Sequence, residues 1–359
     1  MLTGCWPQAF PEQAAAFPEA DIVLGTANRT ALPGHLRAFL ETGERIVDIA
    51  PHEKGEAFEK LAIARFHGRT RAIVKIEDGC DRFCSYCIIP FARGRVRSKP
   101  LEDLRAEVKE LAAHGFREVV LTGINLPCYG QDLGVTLCDA IEAACAEPAI
   151  RRVRLGSLEP EQLTLPIIAR LARQEKLCPQ FHLSLQSGCD ATLKRMNRHY
   201  TTGEYRRIVG DLRAAFPNCA ITTDIMVGFA GETEEEFAAS LAFAREIAFA
   251  KVHVFAYSRR PGTRAYDAPG QVSNAEKEAR SREMIAATEE GRQAFCQAQV
   301  GRVEEVLFEE PGEGGWYRGY TPNYTPVRAK APKDVQGLIL PVRITGMDAE
   351  GCVGEIAKT

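Results

Sequence analysis

Between about residues 70 and 290, short apolar runs alternate with longer amphipathic stretches. The runs are Ala72–Ile76, Glu118–Leu121, Arg152–Leu155, Phe181–Leu185, Ala220–Val227 and Val252–Phe255, and each reads as a strand. Between the first two, Leu101, Leu104, Val108 and Leu111 fall at i, i+3, i+7 and i+10, one face of a helix. Thr233 and Glu236 stand in capping-box register at the head of another helix. Six strands alternating with helices predict a parallel sheet, open or curled into a partial barrel. Its chemistry is expected at the C-terminal strand ends. A long polar helix, Asn274 to about Gln299, closes the region.

The rhythm changes at both ends. Residues 1–66 read as part of an α/β unit, with a strand at Asp21–Gly25 and a helix at Leu32–Leu40, and residues 50–68 as a polar linker. Beyond residue 301, Val303–Phe308, Trp316–Tyr320, Val327–Ala329 and Leu338–Ile344 are short strands broken by turns such as Pro311-Gly-Glu-Gly-Gly315. That pattern predicts a small antiparallel β-barrel. The expected domains are 1–66, 67–296 and 297–359.

Composition narrows the class. With 45% hydrophobic and 26% charged residues, the 359-residue chain is neither fibrous nor intrinsically disordered. It has no run of about 18 apolar residues, and Met1–Gln13 lacks the pattern of a signal peptide. A cytoplasmic protein without membrane contact is expected. The net charge of −3 leaves nucleic-acid binding to local basic patches. Twelve cysteines in a reducing compartment point to metal ligands or catalysts where they cluster. Scattered ones (Cys128, Cys138, Cys145, Cys178, Cys219, Cys296, Cys352) read as small buried hydrophobes.

The cluster is Asp78-Gly-Cys80-Asp-Arg-Phe-Cys84-Ser-Tyr-Cys87-Ile-Ile-Pro90, C-x3-C-x2-C directly after a strand. Zinc usually takes four ligands in two separated pairs. Three thiolates on one compact loop suit three irons of a 4Fe–4S cube, leaving the fourth iron open to a chelating small molecule. A zinc loop is the alternative.

This motif after the first strand of a (β/α)6 partial barrel resembles the radical S-adenosylmethionine superfamily. The neighbouring text narrows the resemblance to the methylthiotransferases: Ile88-Ile-Pro90-Phe-Ala-Arg93-Gly-Arg95, Ser184-Leu-Gln186-Ser-Gly188, Lys194-Arg-Met-Asn-Arg198, Asp224-Ile-Met-Val-Gly228-Phe-Ala-Gly231-Glu232 and Phe255-Ala-Tyr257-Ser-Arg-Arg-Pro261. Gly319-Tyr-Thr-Pro-Asn-Tyr324 and Ser258-Arg-Arg-Pro-Gly-Thr263 look typical of the branch acting on N6-threonylcarbamoyladenosine in tRNA. The resemblance implies a partial radical barrel, preceded by part of a flavodoxin-like domain and followed by a TRAM-like RNA-binding barrel.

It also implies a role for single residues. Cys80, Cys84 and Cys87 would ligate the radical 4Fe–4S cluster. Tyr86, Gly123, Ser184, Gln186, Arg195 and Gly228 would contact S-adenosylmethionine, with Ser184 and Gln186 sharing a strand face and Arg195 free to pair with a carboxylate. Arg93, Arg95, Arg97, Arg259, Arg260, Arg318 and Tyr320 would meet tRNA, with Phe91, Tyr200 and Tyr257 available for base stacking. The reaction would cleave S-adenosylmethionine to a 5′-deoxyadenosyl radical that abstracts hydrogen from C2 of the adenine. A flavodoxin or ferredoxin would supply electrons, and the protein would act as a monomer. Isopentenyladenosine in tRNA, a ribosomal protein, or RNA binding without catalysis are the alternative functions.

The chain departs from the family in one respect. A second cluster normally takes three N-terminal cysteines, and residues 1–66 contain only Cys5. The resemblance therefore implies a truncated form of a longer protein, or one that keeps radical initiation and lacks sulfur insertion.

Overall fold

A computed structural model of the chain describes residues 1–60 and 68–357. The later part of the predicted linker and the boundary expected at 66/67 lie outside the described residues.

Three parallel strands, β1 (Leu2–Thr3), β2 (Ile22–Leu24) and β3 (Ile46–Asp48), form a small N-terminal sheet. Helices Cys5–Ala9, Pro11–Ala15 and Leu32–Thr42 lie between them in the chain, so the α/β character expected of this segment is present.

The central unit begins with β4 (Arg71–Lys75), then a short antiparallel pair, β5 (Glu77–Asp78) and β6 (Arg97–Ser98). β7 (Glu118–Thr122) and β8 (Arg152–Leu155) complete one parallel arc with β4. After Gly156 the chain continues as β9 (Ser157–Leu158), which opens a second parallel arc with β10 (Gln180–Leu183), β11 (Ala220–Val227) and β12 (Lys251–Ala256). Residues 152–158 thus serve both arcs, and the two together are the predicted partial barrel. Leu104, Val108 and Leu111 are fully buried, as their spacing predicts, each contributing roughly 1.5–3 kcal/mol by leaving water. The opposite face of β10–β12 is polar: His182 stands beside Thr222, Thr222 beside Lys251, and Asp224 beside His253.

A fifth strand completes the C-terminal barrel. β13 (Val303–Pro311), β14 (Trp316–Tyr320), β15 (Pro326–Lys330), β16 (Ile339–Asp348) and β17 (Gly351–Ile356) close in the order β13-β14-β15-β17-β16. The β15–β17 junction is parallel and the others antiparallel. β17 went unpredicted because its glycines hide the alternation. Gly354 is required by closure: a Cβ there would stand 2.6 Å from the Arg343 carbonyl oxygen.

The barrel docks on the N-terminal ends of β4, β7 and β8, away from the strand ends that lead to the cysteines. Arg152 donates to the carbonyls of Tyr320 (3.1 Å) and Glu305 (2.7 Å), and Arg154 donates to that of Pro322 (3.0 Å). Arg154 also pairs with buried Glu118 at 2.7 Å. The rings of Tyr320 and Tyr324 stack at 4.5 Å, with Arg71 over both. Tyr320, expected on the RNA face, is therefore half-buried in the seam between domains.

Candidate active site

The cysteine loop leaves β5 at the C-terminal end of the sheet. Gly79 makes the exit: its φ is +90°, and a Cβ would stand 2.0 Å from the Arg95 carbonyl oxygen. The loop is clamped from two sides. Ser85 N–H donates to Met196 O (3.0 Å), Ser85 Oγ donates to Arg195 O (2.8 Å), and Asn197 Nδ2 donates to Phe83 O (3.0 Å). Ala265 N–H donates to Ser85 O at 2.8 Å.

All three thiols are free and partly buried. Arg198 Nη1 lies 3.4 Å from Cys84 Sγ, and Asn125 Nδ2 lies 3.8 Å from Cys80 Sγ. Burial pushes the Cys80 thiol up to about 12 and raises that of Cys87. Such thiols ionise readily only against a strong positive charge, which a metal centre provides. Among the described residues no three His, Cys, Asp or Glu side chains gather around a single-ion position. A cube asks for a different arrangement, one thiolate per iron. Three thiols on one loop with N–H donors beside the sulfurs fit that group.

The other predicted cofactor residues fall around the loop with mixed outcomes. Gly123 directly follows β7, and a Cβ there would meet Glu77 Oε2 at 2.5 Å, so glycine admits the close approach of Glu77. Tyr86 packs edge-on against Phe229 at 6.2 Å. Gly228 has φ +67° and donates to Glu232 Oε2 at 2.6 Å, and Arg280 pairs with that carboxylate at 2.9 Å. Ser184 is buried, and its carbonyl accepts from Arg198 (3.2 Å) and Tyr200 Oη (2.5 Å). The shared strand face of Ser184 and Gln186 is not formed. β10 ends at Leu183, and Gln186 takes φ +66°, which breaks the alternation.

Arg195 is not free either. Its guanidinium forks onto Glu236, with Nη1 at 2.9 Å from Oε1 and Nη2 on Oε2. Three residues on, Arg198 points inward instead: it pairs with Glu159, touches Cys84 and lies 5.1 Å over the Tyr200 ring. Glu77 and Glu159 are functional-site residues that sequence reasoning missed. Glu159 is brought to the cysteines only by the fold, through Arg198. Glu77 stands three residues before Cys80, but its contacts with Gly123 and Asn125 come from the fold.

The predicted RNA residues also divide. Arg97 is buried against Asp78 (3.8 Å) and Glu56 (3.7 Å) and donates to the Arg93 and Arg95 carbonyls, so it turns inward rather than toward solvent. Arg93 reaches Asp78 at 3.6 Å and puts Nε 3.2 Å from Cys5 Sγ. Tyr200 and Tyr257 are buried, which removes them as stacking platforms, whereas Phe91 is exposed. Arg95, Arg259 and Arg260 are exposed near the mouth. Arg318, on the barrel, is part exposed and pairs with Glu350 at 2.7 Å.

A model of the radical SAM superfamily matches residues 74–244. The chain is similar to the threonylcarbamoyladenosine tRNA methylthiotransferase MtaB of Bacillus subtilis, 35% identical over 351 residues, or 96% of this chain and 77% of that protein. It is likewise similar to the tRNA-2-methylthio-N(6)-dimethylallyladenosine synthase of Symbiobacterium thermophilum, 36% identical over 375 residues, or 100% of this chain and 79% of that protein. Among solved structures, the radical SAM enzyme coproporphyrinogen III oxidase (HemN) of Escherichia coli matches with a TM-score of 0.48 and 14% identity, over 72% of this chain and 68% of that one.

Proposed function

Because the chain belongs to the radical S-adenosylmethionine tRNA methylthiotransferases, we propose that its target is N6-threonylcarbamoyladenosine at position 37, next to the anticodon, which it methylthiolates at C2. Its cofactors are a 4Fe–4S cluster and S-adenosylmethionine, and its substrate is tRNA. The observation that carries the site assignment is the loop of Cys80, Cys84 and Cys87 at the C-terminal strand ends, with Arg198 and Asn125 against two of its sulfurs.

When bound, the cluster and S-adenosylmethionine supply the radical that activates an otherwise inert aromatic C–H bond. The chain's own residues bind and orient. Cys80, Cys84 and Cys87 hold the cluster, and the 195–198 turn keeps their loop in place. Glu77, drawn close by Gly123, braces the end of β7 through the Asn125 N–H at 2.7 Å. Tyr86 and the Gly228 loop wall the site on the other side, and their packed rings exclude water. Cys5 is read as a ligand of a second cluster. Its helix packs on Ile89–Arg93, directly after Cys87.

In this reading, exposed Arg95, Arg259 and Arg260 meet phosphates near the mouth, and Arg318 meets them on the TRAM-like barrel. A flavodoxin or ferredoxin as electron donor, a monomeric state and a cytoplasmic location rest on the resemblance. No described helix is long and apolar enough to cross a membrane.

Anaerobic reconstitution of the 359-residue chain tests the function. Close to four irons per chain and reductive formation of 5′-deoxyadenosine are expected. Residues 1–66 supply only Cys5 toward the second cluster, so the 359-residue chain assayed alone should stop at 5′-deoxyadenosine, short of the methylthio transfer that needs the second cluster. Zinc without iron would overturn the cluster assignment. Methylthiolated nucleoside in the tRNA digest would overturn the reading of Cys5.

A further inference from the structure

The relatives act on two chemically different adenosines at nearly equal identity, 35% for the threonylcarbamoyl enzyme and 36% for the dimethylallyl one. Overall similarity therefore does not choose between a polar, anionic arm and an apolar one. The lining of the half-barrel lumen does.

β12 is the edge strand of its arc, and Lys251, His253 and Phe255 alternate along its lumen side. Their neighbours Val252 and Val254 pack instead against the core. Phe255, 54% exposed, is the aromatic at the mouth end of this row. One step in, His253 pairs across with Asp224, its ring 6.0 Å from that of His182. Asp224 is held by His182 Nε2 at 3.4 Å, and His182 Nδ1 is 3.0 Å from Thr222 Oγ1. Among the described residues neither ring nitrogen of His253 has a hydrogen-bond partner. Burial lowers its pKa, so at neutral pH it offers one donor and one acceptor.

One further step in, Thr222 and Lys251 open into a cavity of about 530 Å³ between the sheet, the helix Asn274–Gln297 and the barrel. The other cations there are matched: Arg292 pairs with Glu289 at 2.6 Å, and Arg318 with Glu350 at 2.7 Å. Lys251 is exposed, and its ammonium makes no ion pair or hydrogen bond among the described residues. The polar row next to it lacks the apolar lining that a dimethylallyl group would seek.

We infer that His253 and Lys251 read the N6 arm of the target adenosine, His253 by hydrogen bonding to its carbamoyl or hydroxyl group and Lys251 by pairing with its carboxylate. This deepens the function proposed above and rests on it. The base lies toward Phe255 and the arm runs down β12; the four residues from Phe255 to Lys251 advance about 13 Å, which the base, its arm and the Lys251 side chain reaching toward it span together. Asp224, already anchored by His182, accepts from the arm's N–H and repels a carboxylate at its own level, which directs that group toward Lys251.

The test uses the full chain and three anticodon stem–loop RNAs that differ only at the target adenosine: unmodified, threonylcarbamoyl and dimethylallyl. Fluorescence anisotropy gives the ratio of their Kd values. The chain should favour the threonylcarbamoyl RNA over the other two by about tenfold, the size of a charged hydrogen bond. Lys251→Met and His253→Leu should each collapse that ratio, and Lys251→Arg should keep it. Binding without preference, preference for the dimethylallyl RNA, or a ratio unchanged in Lys251→Met and His253→Leu overturns this inference and leaves tRNA binding standing. Failure to bind any of the three RNAs overturns both.

Discussion

Single side chains decide what the cysteine loop can hold. If Cys80, Cys84 and Cys87 each take one iron, removing any one empties the site. Cys84→Ala should abolish both the brown chromophore of reconstituted protein and 5′-deoxyadenosine formation, read by absorbance and mass spectrometry. Glu77 sets a pH limit on the same corner. It is fully buried, with Oε1 unpaired among the described residues, and burial pushes its carboxyl up to about 8 from 4.5. Below pH 4.5 the group is neutral in folded and unfolded chains alike, and its contribution to stability is intact. Above that only the unfolded chain ionises, so stability falls until the pH passes about 8, by about 5 kcal/mol in total. Urea midpoints of cluster-free protein between pH 5 and 9 should therefore decline, and Glu77→Gln should flatten the decline.

At the scale of elements, the strand ends work because glycine allows two backbones to meet. Gly123→Ala would drive a methyl group to 2.5 Å from Glu77 Oε2 and 2.9 Å from its Cβ. Overpacking of this kind costs about 1–3 kcal/mol, and displacing Glu77 also moves the Asn125 amide. A lower melting temperature together with weaker S-adenosylmethionine binding is expected, the latter by calorimetry. The strands and their facing helices were legible because periods of two and 3.6 are local properties. β17 and the end of β10 were not, since closure of the barrel and the φ of Gln186 come from neighbours distant in sequence.

For the whole molecule, the seam between sheet and barrel rests on Arg154. It is buried, pairs with a buried Glu118 and holds the 320–324 turn. Arg154→Met leaves Glu118 with only the longer contact to Arg152 at 3.5 Å, and breaking a buried pair costs about 3–5 kcal/mol. Chemical denaturation should show that loss, with faster proteolysis near residue 300. Adding Glu118→Gln should recover part of it. The same seam places the barrel at the opposite end of the strands from the cysteines, so a tRNA engaging both must lie along the side of the domain.

The cysteine spacing, the strand–helix rhythm and the change of pattern near residue 301 were written in the sequence alone, because each depends on residues close together in the chain. Which basic residue would reach the site was not. Arg195 and Arg198 are near neighbours on one short segment, yet one forks onto Glu236 and the other reaches Cys84, 114 positions away. Tyr320 looked like an RNA contact until its stack with Tyr324 met Arg71 across a separation of 253 residues. Lys251 and His253 looked like ordinary strand residues until the order of strands put them in the lumen. Those outcomes belong to the tertiary structure, because strand order and register decide which charges face each other, and no local pattern encodes them.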